Sequence, residues 1–517
     1  MQKSLGRLWG KVTVFLLAII LLSVTGAWAR PTTAQEAENV VSNWLGFEAQ
    51  PLDAAMSGQV KEVRSYPGRD GATAYYVVFL QPRGLVIVPA DDLVEPIIGF
   101  LPEKTAYSPS KRNPLGALVS SDVVGRVVHA RGVEAASLES GQPLAADDPM
   151  TQAQRKWAWL ANPAAAAEAL EYGLPSISVV RVAPFVKTRW SQETVGGQAC
   201  YNYYTPPYAA GTAANYPSGC VATAMSQLMR YFQWPQTGVG TGSYTIHVDD
   251  VAYTTNLRGG NGAGGAYAWT SMPFVPSSPT DAQRQAIGNL LHDAGATVNM
   301  WYYADGSFSD TLAAAAAFRG PFNYSNAKTG YNSASNLPTT DRNRMVLPNL
   351  NARNPILFGI TGASGGHAIV CDGYGYQAGT MYHHLNMGWA GFDDAWYNLP
   401  SIDSSPSFTS VYKCVYNVYR TGTGEIIAGR VTDSSGHAVS GALVRATRSG
   451  STFARSDTTD AKGIYALTRM PSASSYTVRV TKAGYTFTNK GANTGTSANN
   501  TTTCGNVWNL NFQATSP

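Results

Sequence analysis

The order of the periodic segments most strongly limits what this chain can fold into. Residues 221–233 and 281–294 carry apolar side chains at helical spacing. Four strand-like runs follow them, at 356–360, 367–371, 381–386 and 411–419. Because helices come first and strands later, residues 181–420 are predicted to form an α+β domain.

A separate α+β unit is predicted for residues 30–180. A helical pattern at 33–45 precedes the strand-like runs AYYVVFLQP, GLVIVPADD and VEPIIGFLP. Residues 141–167 are alanine-rich and punctuated by proline, which indicates a helix-containing connector. His129 is the only histidine of this unit, and no convergent chemical residues accompany it.

The pattern changes again at residues 421–424, Thr-Gly-Thr-Gly. Short alternating runs then follow at roughly ten-residue spacing, which is typical of a small β-sandwich. Residues 424–517 are therefore predicted to form an all-β domain. The Gly/Asn/Thr-rich segment 489–503 is predicted to be a long loop before a last strand.

The N-terminus has the pattern of a signal peptide. Lys3, Arg7 and Lys11 precede the apolar run 12–24, which is shorter than the roughly 20 residues of a membrane span. Ala-Trp-Ala at 27–29 supplies the small residues of a cleavage site. Removal of residues 1–29 is predicted in preference to their retention as an N-terminal anchor, which leaves a secreted, extracellular protein with no membrane attachment.

The amino-acid composition limits which kinds of partner and cofactor are expected. Charged residues are 14% of the chain and the net charge is +4, so a nucleic-acid partner is not expected. Neither a cofactor nor a metal site is expected, because no C-x-x-C pair or histidine at ligand distance occurs. The odd number of cysteines leaves room for a free thiol. The five are Cys200, Cys220, Cys371, Cys414 and Cys504.

Cys220 is the first candidate for chemistry. Ser218 is a plausible N-cap, so Cys220 is predicted in the first turn of a helix closed by Pro235. The helix dipole and unpaired N–H groups there favour a thiolate. The stretch alone favours a buried cysteine that covers the helix end over a nucleophile.

Three further side chains fit a nucleophilic site. His367 opens an apolar strand after Gly365-Gly366, although a structural histidine fits this position too. Asn386, on a later strand, could orient the imidazole, and Gln192 could donate to an oxyanion together with the backbone of Cys220. His383 and His384 are adjacent and point to opposite faces of a strand, so they are predicted to be non-catalytic.

The motifs T-x-W-x-Q, G-C-V-A-T-A-M-x-Q-L-M-R-Y-F-x-W-P, G-G-H-A and N-x-G-W-x-G resemble those of the streptopain family of papain-like, clan CA cysteine peptidases. The resemblance covers residues 182 to about 400. It implies a two-lobed fold with Cys220 as nucleophile, His367 as acid and base, Asn386 as orienter and Gln192 as oxyanion donor. Trp389 is the expected lid, and Met387 replaces a tryptophan of the family pattern.

The resemblance also implies what surrounds the catalytic unit. The N-terminal unit is similar to the inhibitory propeptide of that family, with processing near residue 180. Residues 299–310 match the segment that lines the substrate cleft. The C-terminal unit, with its D-x-x-G-x-Y turn at 460–465, resembles carboxypeptidase-regulatory-like β-sandwiches and could bind an extracellular ligand.

The expected function is a secreted cysteine endopeptidase that is made as a zymogen and acts on proteins or peptides. The alternative from another class is an inactive peptidase-like binding protein targeted by its β-sandwich. A transglutaminase-like acyl transferase shares the thiol–imidazole chemistry, but that group usually carries an aspartate where Asn386 stands. The glycine-rich run 259–265 has no following lysine, so a flexible loop is favoured over a phosphate site.

Overall fold

The computed structural model describes residues 30–110, 112–162, 178–362, 365–401 and 409–515. The predicted signal peptide lies outside these residues. Within the described ranges, no helix combines the length and apolar character that a membrane crossing requires.

The two predicted central helices precede the four predicted strands, although further helices and strands intervene. The helices are α1 Ala34–Phe47, α2 Pro114–Ser140, α3 Pro149–Ala161, α4 Cys220–Phe232, α5 Asp281–Thr297, α6 Ala313–Arg319 and α7 Thr339–Asn351. Short 3-10 turns lie at Pro51–Asp53 and Trp269–Ser271.

The strands of the N-terminal and central parts are β1 Gln59–Pro67, β2 Thr73–Gln81, β3 Leu85–Pro89, β4 Gly99–Leu101, β5 Ser178–Val182, β6 Thr194–Val195, β7 Gln198–Ala199, β8 Ser243–Val248, β9 Val251–Asn256, β10 Trp301–Tyr302, β11 Asn326–Tyr331, β12 Ile356–Gly362, β13 Gly365–Gln377, β14 Thr380–Asn386, β15 Ala395–Tyr397 and β16 Val411–Tyr419. The C-terminal strands are β17 Glu425–Thr432, β18 Leu443–Arg448, β19 Ala454–Thr458, β20 Ile464–Met470, β21 Ser474–Thr481, β22 Lys490–Thr494 and β23 Phe512–Gln513.

One eleven-stranded sheet joins the N-terminal unit to the central part of the chain. Its order is β1-β2-β3-β4-β15-β14-β13-β12-β16-β11, and β5 pairs with the second half of β13. The join is the antiparallel pair β4–β15, in which Phe100 lies opposite Trp396. Pairing with β15 satisfies the edge of β4, so the sheet runs on from the predicted N-terminal unit into the central part of the chain.

The two faces of this sheet pack against different helices. On one face, Leu115 and Leu118 of α2 share an apolar cluster with Phe358 and Ile360 of β12. On the other face, the buried side chains of α4 pack with Val370 of β13. The sheet thus forms one lobe, and α4 with α5, α6 and β8–β10 forms a second lobe against it.

The C-terminal part is a small β-sandwich, as predicted. A three-stranded sheet, β20-β17-β23, faces a four-stranded sheet, β19-β18-β21-β22. The predicted long loop at 489–503 contains a strand, β22, which pairs with β21. Its alternation was missed because small residues fill its inward positions: Ala492 and Thr494 are buried between exposed neighbours.

Buried amides fasten the sandwich to the α+β part. Asn417 and Asn506 exchange two side-chain hydrogen bonds of 3.1 Å, and Asn349 of α7 donates to Asn417 at 2.8 Å. All three residues are fully buried. Because unpaired buried amides are costly, this network favours one fixed arrangement of sandwich and sheet. The domain limits 30–180, 181–420 and 424–517 remain predictions.

Candidate active site

Cys220 is the first residue of α4, in the first turn as predicted, but the helix is capped differently from the expectation. The N-cap is Gly219, not Ser218, and it makes no side-chain cap. Gly219 has φ +87°, and a Cβ there would lie 2.7 Å from the Met300 sulfur. The left-handed backbone and the close approach of residues 299–310 both require glycine at position 219. The N-cap is therefore one residue later than the predicted Ser218.

The thiol of Cys220 lies between the two lobes. The backbone N–H of Ala368, on β13, donates to its sulfur at 3.3 Å. Burial raises the pKa of Cys220, but the hydrogen bond and charge of His367 and the N–H groups of Ala368 and Val221 outweigh it. The net effect is a pKa below the ordinary value of a thiol. This arrangement favours a thiolate paired with an imidazolium.

His367 lies on β13, opposite Ile360 of β12. The preceding Gly366 permits this close pairing, since a Cβ there would lie 3.0 Å from the Ile360 carbonyl oxygen. The imidazole is partly exposed, whereas Cys220 is only 7% exposed. The structure therefore brings the predicted thiol and imidazole into hydrogen-bond contact.

Asn386 lies at the end of β14, but its described contacts differ from the expected one with His367. Its Oδ1 accepts from Nε2 of Gln227 and from the N–H of Gly388, both at 3.0 Å. Its Nδ2 donates to the carbonyl of Thr188 at 2.8 Å. Gly388, with φ +66°, turns the backbone back onto the side chain, so both acceptor sites of the oxygen are occupied.

Gln192 lies beside the thiol through its backbone, because its carbonyl accepts from the N–H of Ser218 at 2.8 Å. Its side chain is 7% exposed and donates to no described residue. The amide is thus available to an incoming carbonyl oxygen. Trp190, two residues earlier, is fully buried and accepts from the N–H of Ala390 at 2.9 Å.

Gln227 is a site residue that the sequence interpretation missed. It lies two helical turns after Cys220 on α4, and its side chain joins Asn386 to the backbone N–H of Trp190. The seven-residue spacing places Gln227 on the same helix face as Cys220, and this was the available signal.

Trp389, the predicted lid residue, packs toward the protein interior. Trp389 is partly buried against the same apolar cluster that contains the fully buried Met387. The N–H of Met387 donates to Asp394 at 3.0 Å. Met387 therefore fills core volume beneath the strand.

His383 and His384 have different surroundings. His383 is buried, neither ring nitrogen has a hydrogen bond among the described residues, and burial lowers its pKa to about 3. Nδ1 of His384 lies 2.6 Å from Oδ1 of Asp372, whose Oδ2 accepts from the N–H groups of Phe185 and Val186. This pair therefore anchors the chain after β5.

The N-terminal unit reaches both walls of the site. Arg112 pairs with Asp305 at 2.9 Å, in the segment 299–310 that packs on Gly219. Asn113 donates to Asp393 at 2.6 Å, and Lys104 forms an ion pair with the same carboxylate. Asp393 is fully buried by these contacts. The segment from Lys104 to Asn113 thus contacts both sides of the cleft.

The remaining cysteines differ from Cys220 in their electrostatics. All five are unbridged and buried. Burial raises the pKa of Cys200 and of Cys504 to about 12, and it raises those of Cys371 and Cys414 as well. No group of three or more described His, Cys, Asp or Glu residues is placed to hold a metal ion.

A thiol at a helix terminus in one lobe and an imidazole on a strand of the other are the arrangement of papain-like, two-lobed α+β proteins. The predicted fold class is confirmed. Residues 190–397 match the Peptidase C10 family, and residues 426–508 match the carboxypeptidase regulatory-like domain. The predicted resemblance to the streptopain family and to the regulatory-like sandwich is thereby confirmed over these ranges.

Curated relatives cover the chain only in part. It is 26% identical over 389 residues to the thiol protease/hemagglutinin PrtT of Porphyromonas gingivalis, covering 74% of this chain and 40% of that protein. It is 27% identical over 207 residues to streptopain of Streptococcus pyogenes, covering 40% of this chain and 51% of that protein. The chain thus spans two fifths to about half of these relatives.

Two solved structures are similar. A fragment of prointerpain A from Prevotella intermedia aligns with a TM-score of 0.48 at 23% identity, covering 71% of this chain and 99% of that one. Active interpain A from the same organism aligns with a TM-score of 0.38 at 26% identity, covering 47% of this chain and 98% of that one.

Proposed function

We propose that this protein is a secreted cysteine endopeptidase made as a zymogen. The observation that carries the proposal is the contact of Cys220, at the N-terminus of α4, with His367 on β13. The family match over 190–397 supports the same reaction class. The signal-like pattern of residues 1–29 supports export.

The proposed reaction uses the residues in a fixed order. The Cys220 thiolate attacks the peptide carbonyl carbon, and His367 donates its proton to the leaving amine nitrogen as the C–N bond breaks. The resulting thioester is hydrolysed by water that His367 deprotonates, and the thiol is regenerated. The Gln192 amide and the backbone N–H of Cys220 donate to the oxyanion.

Asn386 acts as a positioning residue in this proposal. It links the end of β14 to α4 through Gln227 and to the segment 188–192 through Thr188. Val370 lies opposite Asn386, three residues after His367 on the same strand. Asn386 therefore holds the imidazole strand and the thiol helix at a fixed separation. Two supporting residues are proposed: Trp389, which packs on the apolar cluster after β14, and Gly366, which allows the close pairing of β13 with β12.

The N-terminal unit is proposed to act as the inhibitor. Contacts from Lys104, Arg112 and Asn113 to both walls of the cleft support this role. Cys220 is only 7% exposed while the N-terminal unit is in place. Cleavage near residue 180 then removes the cover.

Mass spectrometry of wild type and Cys220→Ala tests the proposal. We expect wild type to be cut near residue 180 and to form a covalent adduct at Cys220 with an epoxide inhibitor of papain-like enzymes. Cys220→Ala should remain uncut. Absence of an adduct in the processed protein would overturn the enzyme proposal in favour of a peptidase-like binding protein. Equal processing of both proteins would refute self-processing and assign the cut to an external protease.

A further inference from the structure

A second cleft lies away from Cys220, between the large sheet and the β-sandwich. Its volume is about 480 Å³, within the range of small-molecule sites. One wall comes from β5 and β13, which contribute Arg181 and Tyr376. The other wall comes from the sandwich, which contributes Arg430, Lys490 and Trp508.

The lining of the cleft is cationic. Three of its lining residues are basic, and no aspartate or glutamate is among the lining residues. Within the described part of the chain, Arg181, Arg430 and Lys490 form no ion pair. Burial and the nearby charge of Arg181 lower the pKa of Arg430, against an opposing effect of Tyr374 and of Asp433, which lies outside the lining. Like charges brought together repel each other, so a bound anion would stabilise this arrangement.

The donors of the two arginines are only partly used. The described contact of the Arg181 guanidinium is with the ring of Tyr376, at 5.7 Å from its centroid. Among the described residues, the Arg430 side chain donates from Nε alone, to the carbonyl of Lys462 at 3.0 Å. Arginine presents a planar fork that matches carboxylate and sulfate groups.

Partly exposed aromatic faces and amides complete the lining. Tyr376 and Trp508 are partly exposed, and Asn509, Asn511 and Gln513 are exposed beside them. Flat apolar faces next to amides and cations suit a sugar ring that carries acidic groups. Three basic residues are too few for a groove that follows a nucleic-acid backbone.

We propose that this cleft binds an acidic oligosaccharide. Its carboxylate or sulfate groups pair with Arg181, Arg430 and Lys490, and one sugar ring lies against Tyr376 and Trp508. Because the two walls belong to different parts of the chain, the ligand bridges the sandwich to the sheet. The bound state is therefore more resistant to unfolding than the free protein.

The binding test uses the full chain carrying Cys220→Ala, so its result does not depend on peptidase activity. Isothermal titration with a heparin-derived hexasaccharide, in about 0.15 M salt, should show binding, and neutral maltohexaose should show none. Arg181→Gln, Arg430→Gln and Lys490→Gln should each weaken binding about tenfold, equivalent to about 1.4 kcal/mol. Lys490 is exposed and its ammonium donates to the Asn511 carbonyl at 2.6 Å, so its variant removes a cation at the surface of the cleft.

Arg479→Gln is the matched control, because Arg479 is an exposed arginine of β21 outside the cleft. Its affinity should equal that of the parent chain. An equal loss in the control would show general attraction to polyanions and overturn the proposal. Equal binding of a single-stranded oligothymidylate, lost in the same three variants, would identify a nucleic-acid site instead. No binding of the hexasaccharide by the parent chain would refute the site.

Discussion

Oδ1 of Asn386 accepts a hydrogen bond from Nε2 of Gln227 at 3.0 Å, joining the end of β14 to the helix that begins at Cys220. Both residues are buried. Gln227 also accepts from the backbone N–H of Trp190, so one glutamine connects three segments of the site. The relative position of the thiol helix and the sheet therefore depends on a buried amide pair.

Replacement of Gln227 by alanine should destabilise the protein. The buried Asn386 oxygen would lose one of its two donors, which costs about 1 to 3 kcal/mol. Urea unfolding of Gln227→Ala in the Cys220→Ala background measures this change. Gln35→Ala, at an exposed position of α1, should change the free energy of unfolding by no more than about 0.5 kcal/mol. A similar effect in both variants would contradict the assigned role of the pair.

Gly219→Ala should abolish most activity by displacing the segment 299–310. The new methyl group would lie 2.7 Å from the sulfur and 2.8 Å from the methyl carbon of Met300, in addition to the strained φ of +87°. Peptide hydrolysis and thermal unfolding measure both effects.

Gly240→Ala is the control for backbone strain, because Gly240 has φ +73° and open space around its Cβ direction. It should show only the conformational cost of about 1 to 2 kcal/mol. Equal losses in the two variants would show that the contact with Met300 is unimportant.

Alkylation should separate Cys220 from the other thiols. In the processed protein, the rate of iodoacetamide labelling at Cys220 should rise with pH through a midpoint below the ordinary thiol value of 9.0, because its pKa is lowered. Cys371 should remain unlabelled over this range, since burial raises its pKa well above that value. Peptide mapping after each pH point gives both rates. A midpoint at or above the ordinary thiol value would contradict the His367 pairing.

The His384–Asp372 pair should make stability fall as the pH rises. Burial lowers the pKa of His384, and the charge of Arg189 lowers it too. The charge and hydrogen bond of Asp372, together with the charge of Asp394, raise the pKa by more than these two effects lower it. The net folded-state pKa lies above the ordinary 6.5. The stabilisation is therefore complete below that value and is lost as the pH rises through the folded-state pKa.

Thermal unfolding of His384→Gln from acid to mildly alkaline pH tests this linkage. The variant should lose stability relative to wild type mainly at acid pH, and the difference should shrink as the pH rises. His437→Gln, at an exposed position of the sandwich, should follow the wild-type curve. A constant difference at all pH values would show a packing effect without proton linkage.

Lys104→Met should accelerate processing. Asp393 has a side chain 1% exposed and is paired with Lys104, so removal of the ammonium leaves a buried carboxylate without its ion pair. Breaking such a pair costs about 3 to 5 kcal/mol, which weakens docking of the N-terminal unit. The half-time of conversion, followed by gel electrophoresis, should fall several-fold.

Arg83→Met removes an ion pair whose partners are 54% and 47% exposed, so conversion should keep the wild-type rate. Unchanged conversion in Lys104→Met would refute the inhibitory role of the Asp393 contact.

Local patterns were sufficient for much of the fold and for the candidate residues. Helical periodicity placed the start of α4 at Cys220 within one residue, and the run 411–419 matches β16. The helical pattern after Cys220, the glycines before His367 and the order of the four motifs predicted the thiol and the imidazole that lie together in the structure. These features depend on neighbours within a few positions, so the sequence displays them directly.

Only the tertiary structure decided how distant segments pair. β4 joins the edge of β15, Asn386 accepts from Gln227, and Asn113 reaches Asp393 across 280 positions. Each contact joins two segments that are far apart in the sequence, and the sequence of either segment alone is compatible with several partners. The sequence alone therefore determined the elements and the reactive groups. Packing and hydrogen bonding in the folded chain decided which of these elements and side chains contact each other. A strand edge or amide that becomes buried must find a hydrogen-bond partner, and few partners are within reach.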